Sequence, residues 1–461
     1  MDRVEDVARG VAGGAPVAIV GGGWAGCAAA VTLADAGVAA TLYEAAPVLG
    51  GRARRVDRDG LPLDNGQHIL LGAYEETLAL VARVHGETPA RAQFVRRPMT
   101  MMPFSPFQPG ALTVVARRAP GRLGLLVGLL AARGLSLSER IANLAWFRRL
   151  ERDGFARPPR ETVARMLAPL PPRVAGLLWE PLCIAALNTP VAHASAQVFA
   201  NVLRVAFGGG GEASDFVLPA NDLSAIFPEA AMRYCAARGG LHRTGARAQI
   251  VASARDGVTV AVDGHAQRAS AAIVAVGPHQ LRQAFAAEAL AAHPPLPAAI
   301  DVLAALAYEP IVTIWLGYGA KVTMPGPIAR LDDAPGQWVF DRPDVLARAQ
   351  VPRPALAHLL AVVVSAHGPH MAQTQDALAR AVDAQLRRLQ PALPACVWSQ
   401  VVAEKRATYA CTPGRARLAG PRLAPGLYAA GDYADVEFPA TLEAAVRSGR
   451  AAAHALLADR T

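Results

Sequence analysis

Cysteine is scarce and unpaired: Cys27, Cys183, Cys235, Cys396 and Cys411 are odd in number, far apart, and form no C-x-x-C pair. That excludes a disulfide framework and a zinc ribbon, and it fits a reducing compartment. Lysine is rarer still, with only Lys321 and Lys405 in 461 residues, so arginine carries the net charge of +9. Aromatic residues make up 6% and the arginines are dispersed, which leaves no basic stripe with stacking rings for nucleic acid. Long apolar runs are absent too. The longest strongly apolar stretch, Leu123 to Ala132, is far short of the roughly 20 residues a spanning helix requires. The first sixteen residues lack the apolar centre of a secretory signal, so residues 1–14 read as a flexible leader and the chain as cytoplasmic.

What remains is the composition of a large folded core, 52% hydrophobic and 18% charged, over a length that suits two domains. Near the start, Val17-Ala18-Ile19-Val20 has the apolar continuity of a buried parallel strand. It runs into Gly21-Gly22-Gly23-Trp24-Ala25-Gly26, which fits G-x-G-x-x-G, and then into an alanine-rich helix from Cys27 to Ala36. A second strand, Ala39 to Tyr43, ends in Glu44. This is a complete strand–helix–strand opening for a dinucleotide. Gly21 allows the tight turn, Gly23 the approach of a pyrophosphate, and Gly26 the close packing of helix on strand. Trp24 and Ala25 belong to the turn whose free amides face the phosphates, and Glu44 accepts from ribose hydroxyls. No second G-x-G-x-x-G stands in such a setting, so no built-in nicotinamide site is expected.

Two further segments resemble parts of one superfamily. Val48-Leu49-Gly50-Gly51-Arg52 is similar to the GG-R motif of FAD-dependent amine oxidases and carotenoid desaturases, where the arginine helps hold the pyrophosphate. Gly426 to Ala430 reads as a strand running into Gly431-Asp432, with a helix from Thr441 through Leu442 and Glu443 to Gly449. This resembles the C-terminal flavin motif of the same superfamily. There the Gly-Asp pair reaches the ribityl chain and pyrophosphate, and the last helix points its N-terminus at the flavin ring. Leu241–Val251 and Ala271–Pro278 look like the segment that closes on the adenine, with Ala248 touching it through its backbone. The resemblance implies non-covalently bound FAD, no metal, and an α/β fold of amine oxidase or desaturase type. A discontinuous Rossmann-like FAD-binding domain (15–90, 220–299 and 405–461) joins an α+β substrate domain (91–219 and 300–404) with a strand at Ile311–Leu316. Gly208–Gly211 reads as a linker.

A narrower resemblance rests on other residues. Asp64-Asn65-Gly66-Gln67-His68 closely resembles the DNGQH segment of the squalene-associated FAD-dependent desaturases, a family of hydroxysqualene dehydroxylases of hopanoid synthesis. Leu178-Trp179-Glu180-Pro181-Leu182-Cys183 running on to Asn188-Thr189-Pro190, the Asp222-Leu223-Ser224 region, Gln337 to Arg342, and Phe438 to Gly449 match as well. One departure is Gly22, where that family often has alanine. The resemblance implies reductive removal of an allylic hydroxyl from hydroxysqualene, with Gly66 and Gln67 in the FAD site. Such chemistry needs a proton donor, a dry slot for a long apolar isoprenoid, and an external electron donor for the flavin. It also implies a place beside the enzymes that form hydroxysqualene.

His68 is the first candidate for the proton donor, against a hydrogen-bonded structural histidine. Glu443 is the second, against a carboxylate that complements a helix dipole. Tyr433 and Asp435 read equally as pocket wall or solvated loop, Glu180 as a buried ion pair, and Lys405 as strand-edge charge. Leu123–Leu130, flanked by Arg117, Arg118, Arg122 and Arg133, suits a helix that dips into the inner face of the cytoplasmic membrane, or one that lines a tunnel. Within the same fold, a phytoene-type desaturase or an amine oxidase would run the flavin in the oxidative direction. A prenyl-binding relative would keep the fold without catalysis, but the intact glycine motif, Glu44, Arg52 and Gly431-Asp432 speak against it.

Overall fold

Two sheets carry the molecule, and both are assembled from distant stretches of chain. The computed structural model describes residues 14–108, 110–116, 123–209, 212–254, 257–350, 353 and 355–460, and the side chains of 123–126 are not described. Residues 1–13 of the expected leader, Gly210 and Gly211 of the expected linker, and Arg117, Arg118 and Arg122 lie outside the described residues.

The first sheet has six strands in the order Leu241–Thr244, Ala40–Glu44, Val17–Val20, Ala272–Val274, Leu427–Ala429 and Arg422–Ala424. The first five run parallel and the last pairs antiparallel. Val17–Val20 is buried throughout, as a central parallel strand covered on both faces must be. The helix after it spans Trp24–Asp35, three residues earlier than the alanine run suggests. Gly23, in extended conformation, ends the turn, and the helix starts at once at Trp24. The last helix, Leu442–Ala458, runs well past Gly449. A Cβ on Gly449 would stand 2.1 Å from the Ala25 carbonyl oxygen, so this glycine lets the first and last helices approach closely. Gly26 does the same between helix and strand, where a Cβ would stand 2.0 Å from the Gly21 carbonyl oxygen.

The stretch Leu241–Val251 is not one element. Its first part joins the parallel sheet beside Ala40–Glu44, and Ala248–Ala254 starts an antiparallel three-stranded sheet with Gly257–Val262 and His265–Ala269. The second large sheet is antiparallel, in the order Ile328–Arg330, Trp338–Asp341, His358–Ser365, Tyr308–Tyr318, Cys396–Tyr409. Its strand Tyr308–Tyr318 extends the expected Ile311–Leu316 at both ends because it pairs on both sides. Side chains alternate across it. Val312, Ile314, Leu316 and Tyr318 form one core cluster with Leu378, Val382 and Leu386 of the helix Gln375–Leu389. Trp315 belongs instead to the cluster built with the helices Leu137–Arg152, Glu180–Leu187 and Ala196–Gly208.

Candidate active site

A cavity of about 1060 Å³ opens along the ends of the parallel strands, where the first sheet meets the second. The N-terminal turn forms one wall: Gly21, Gly23, Trp24 and Ala25 line it, and a Cβ on Gly23 would meet nothing closer than 3.8 Å. The first helix has no side-chain cap and no acid in its first turn, so its leading amides are left for a ligand. That is what a pyrophosphate requires. Glu44 stands at the end of the second strand, its carboxylate held by the amides of Gly22 (2.6 Å) and Ala46 (2.7 Å). A Cβ on Gly22 would lie 2.8 Å from the Glu44 Cβ, so glycine at this departure from the family pattern fits the tight turn around the carboxylate.

Arg52 ties three segments together. Its guanidinium pairs with Asp432 at 2.7 Å and donates to the Ala407 carbonyl at 2.9 Å, and its own carbonyl accepts from Asn65. Gly51 reaches it with φ +64°, a conformation suited to glycine. Gly431 donates to Ser448 Oγ at 2.9 Å, which anchors the Gly-Asp turn to the last helix. Thr441 caps that helix by accepting from Ala444, and both Thr441 and Leu442 face the cavity. Ala248 lines the opposite end with Ala246 and Arg247. The glycine cradle, uncapped helix, fixed carboxylate and arginine together fit the adenosine-to-flavin length of FAD.

Four expected site residues do not reach the cavity wall. Gly26 packs beneath the turn. Gly66 accepts from His68 Nδ1 at 3.0 Å, and Gln67 turns its carbonyl to Arg342. Glu443 sits under the helix Glu75–His85 and accepts from the Glu76 amide (3.1 Å), the Thr77 amide (2.9 Å) and the Thr77 hydroxyl (2.7 Å). It caps a neighbouring helix, and burial raises its pKa; its position gives it no contact with the cavity.

His68 does line the cavity, and a backbone carbonyl holds its ring. Gly66 offers a carbonyl, which only accepts, so Nδ1 carries the hydrogen and Nε2 of the neutral ring presents a lone pair. Burial, with Arg52 and Arg342 nearby, pushes the His68 pKa down and favours that neutral form.

Several wall residues carry no motif and escaped the sequence reading. His279 follows the strand Ala272–Val274, and its Nδ1 lies 3.1 Å from the hydroxyl of Tyr308, the first residue of its strand; both line the cavity. Burial, Arg406 and Arg52 lower the His279 pKa, and burial raises that of Tyr308. Lys405 is exposed on the edge strand of the second sheet, as its strand-edge reading expects, and that edge lies on the cavity wall with Glu404 and Arg406. The signal available was the long strand Cys396–Tyr409, whose end crosses the site. Tyr433 is fully buried behind the Gly-Asp turn. Asp435 accepts from the Glu437 and Phe438 amides and pairs with Arg447 at 2.9 Å. Glu180 is half-buried at the start of its helix and makes no ion pair among the described residues.

The segments that carry the narrow resemblance meet as joints behind this wall. Arg342 pairs with Asp64 at 3.3 Å and Asp344 at 2.9 Å while donating to Gln67. Asp64 also accepts from the Leu223 amide at 3.0 Å, and burial pushes its pKa up to about 6. Asn188, in left-handed conformation, donates to the carbonyls of Glu309 and Pro310 and to the Thr408 hydroxyl, and accepts from the Ala366 amide. It thereby fastens three strands of the second sheet.

The family profile described as "Flavin containing amine oxidoreductase" matches residues 24–457. Hydroxysqualene dehydroxylase of Rhodopseudomonas palustris is 28% identical over 96% of this chain and 98% of that protein. The protein of the same name from Sinorhizobium fredii is 25% identical over 96% and 98%. Among solved structures, an oxidoreductase from Methanosarcina mazei superposes with a TM-score of 0.73 at 16% identity, covering 96% of this chain and all of that one.

Proposed function

The chain belongs to the flavin-containing amine oxidoreductase family and is an FAD-dependent oxidoreductase, and from that premise we propose that it removes the hydroxyl of hydroxysqualene reductively, yielding squalene. The observation that carries this reading is the end-to-end similarity to proteins named for that reaction. The same segments, DNGQH and the Gln337–Arg342 stretch, build the joint behind His68, which supports it.

The reaction balances as alcohol plus hydride plus proton giving hydrocarbon plus water. Bound FAD, once reduced by an external donor, supplies hydride chemistry. The chain's own residues must orient the hydroxyl, deliver one proton and exclude bulk water. His68 on the cavity wall, its Nδ1–H held by Gly66, is the group assigned to accept the substrate O–H and turn the oxygen lone pairs toward the donor. The hydrogen-bonded Tyr308–His279 couple on the same cavity supplies the proton that leaves with the oxygen as water.

The test is anaerobic. The purified holoprotein is reduced with dithionite and mixed with detergent-dispersed hydroxysqualene. Squalene should form in proportion to flavin reoxidised. Flavin that stays reduced, with no squalene, would overturn the assignment and bring forward an oxidative desaturase reading.

A further inference from the structure

We propose that the face formed by the helices Leu123–Leu130 and Leu137–Arg152, with the strand Val114–Val115 beside them, docks on an anionic lipid bilayer. Among the described residues, Val115, Val127, Leu130, Leu137 and Ile141 are exposed there, Leu137 at 70% and Ile141 at 55% of their surface.

These side chains form one patch. Leu137 and Ile141 are four apart on one helix and share its outer face, which continues through exposed Ala145 to Arg148, Arg149 and Arg152. Arg140 donates to the carbonyls of Leu130 (3.1 Å) and Leu135 (3.0 Å), so Leu130 stands beside the start of that face. A Cβ on Gly128 would lie 2.7 Å from the Val115 carbonyl oxygen, which puts the shorter helix against the strand that carries Val115. A surface of this kind, apolar at its centre, is not left facing water without cause.

Charge decides the occupant. Between residues 127 and 153 there are five arginines and three acids. Of the acids, Glu139 is committed to capping Ser136 and to Arg173 at 3.1 Å. Two copies of this face would bring arginines against arginines, whereas an apolar patch edged with arginine matches an anionic headgroup layer above acyl chains. The described residues contain no helix long and apolar enough to cross a membrane, so the contact is made on one leaflet. A water-insoluble substrate, if the proposed reaction holds, would reach the enzyme by that route.

The test uses holoprotein and sucrose-loaded vesicles without substrate, so its outcome is independent of the reaction. Vesicles of phosphatidylcholine with about one-third phosphatidylglycerol should sediment the protein at least tenfold more strongly than phosphatidylcholine alone, and 0.5 M salt should weaken binding. Leu137→Glu with Ile141→Glu should lower binding to the anionic vesicles about tenfold or more. Their exposure predicts an unchanged flavin spectrum and melting temperature. Equal sedimentation of wild type and variant would overturn the proposal. So would light scattering that shows a wild-type dimer which the variant dissolves, since the patch would then be a contact between copies.

Discussion

Replacing Arg52 by methionine keeps the aliphatic stem and removes the guanidinium at the point where three segments cross the cavity. In the structure that group spends two donors on Asp432 and Ala407 and keeps its others for the cavity. Hydrogen bonds to a charged partner contribute about 1.5–3 kcal/mol each. Arg52 remains about a third exposed (34%), so solvent screening trims the sum of two such contacts to a pyrophosphate. A loss of roughly 2–4 kcal/mol is expected, which weakens FAD binding roughly 30- to 700-fold at 1.4 kcal/mol per decade. Methionine also leaves the buried Asp432 carboxylate without its cation beside an anionic ligand. Asp432→Asn in the Arg52→Met background should therefore recover part of the loss. Arg52→Lys should fall between, since it keeps the charge and loses the fork. The assay is titration of apoprotein with FAD by flavin fluorescence, with circular dichroism confirming that the apoprotein is folded. A dissociation constant within threefold of wild type would refute the reasoning, as would a lysine variant no better than methionine.

Tyr308→Phe keeps the ring and removes the hydroxyl bonded to His279; kcat should fall roughly 100-fold with FAD affinity unchanged. Unaltered turnover would remove the pair from the mechanism. Asp64 has a folded pKa near 6, above its ordinary value of 3.8. Its neutral form is thus favoured in the fold, so its contribution to stability is full below about pH 4 and lost as pH rises through 6. Asp64→Asn should gain on wild type by about 1–3 kcal/mol between pH 5 and pH 8 in denaturant titrations, and parallel pH profiles would contradict this. Gly449→Ala drives a Cβ to 2.1 Å from the Ala25 carbonyl. It should cost about 1–3 kcal/mol and lower the melting temperature by a few degrees, whereas an unshifted melt would show that the two helices part freely.

How far the sequence alone reaches is set by distance along the chain. The opening strand, turn and helix, Glu44 and the GG-R turn lie within some forty residues, where spacing and φ preference nearly dictate geometry. Their places on the cavity wall follow from local rules, as does the N-terminal cap at Thr441. The roles that needed the fold belong to pairs remote in sequence. Glu443 meets Thr77 across 366 residues, and only that meeting turns a plausible acid into a helix cap. Arg342 reaches Asp64 across 278 residues, which makes a recognisable motif a buried joint. The hydrogen on His68 is assigned by one backbone carbonyl, and Tyr308 becomes a wall residue only when its strand crosses the parallel sheet's open end. A motif encodes the conformation of its own backbone. Which groups face a ligand depends on how separate elements pack, and packing is decided by the sum of contacts over the whole chain.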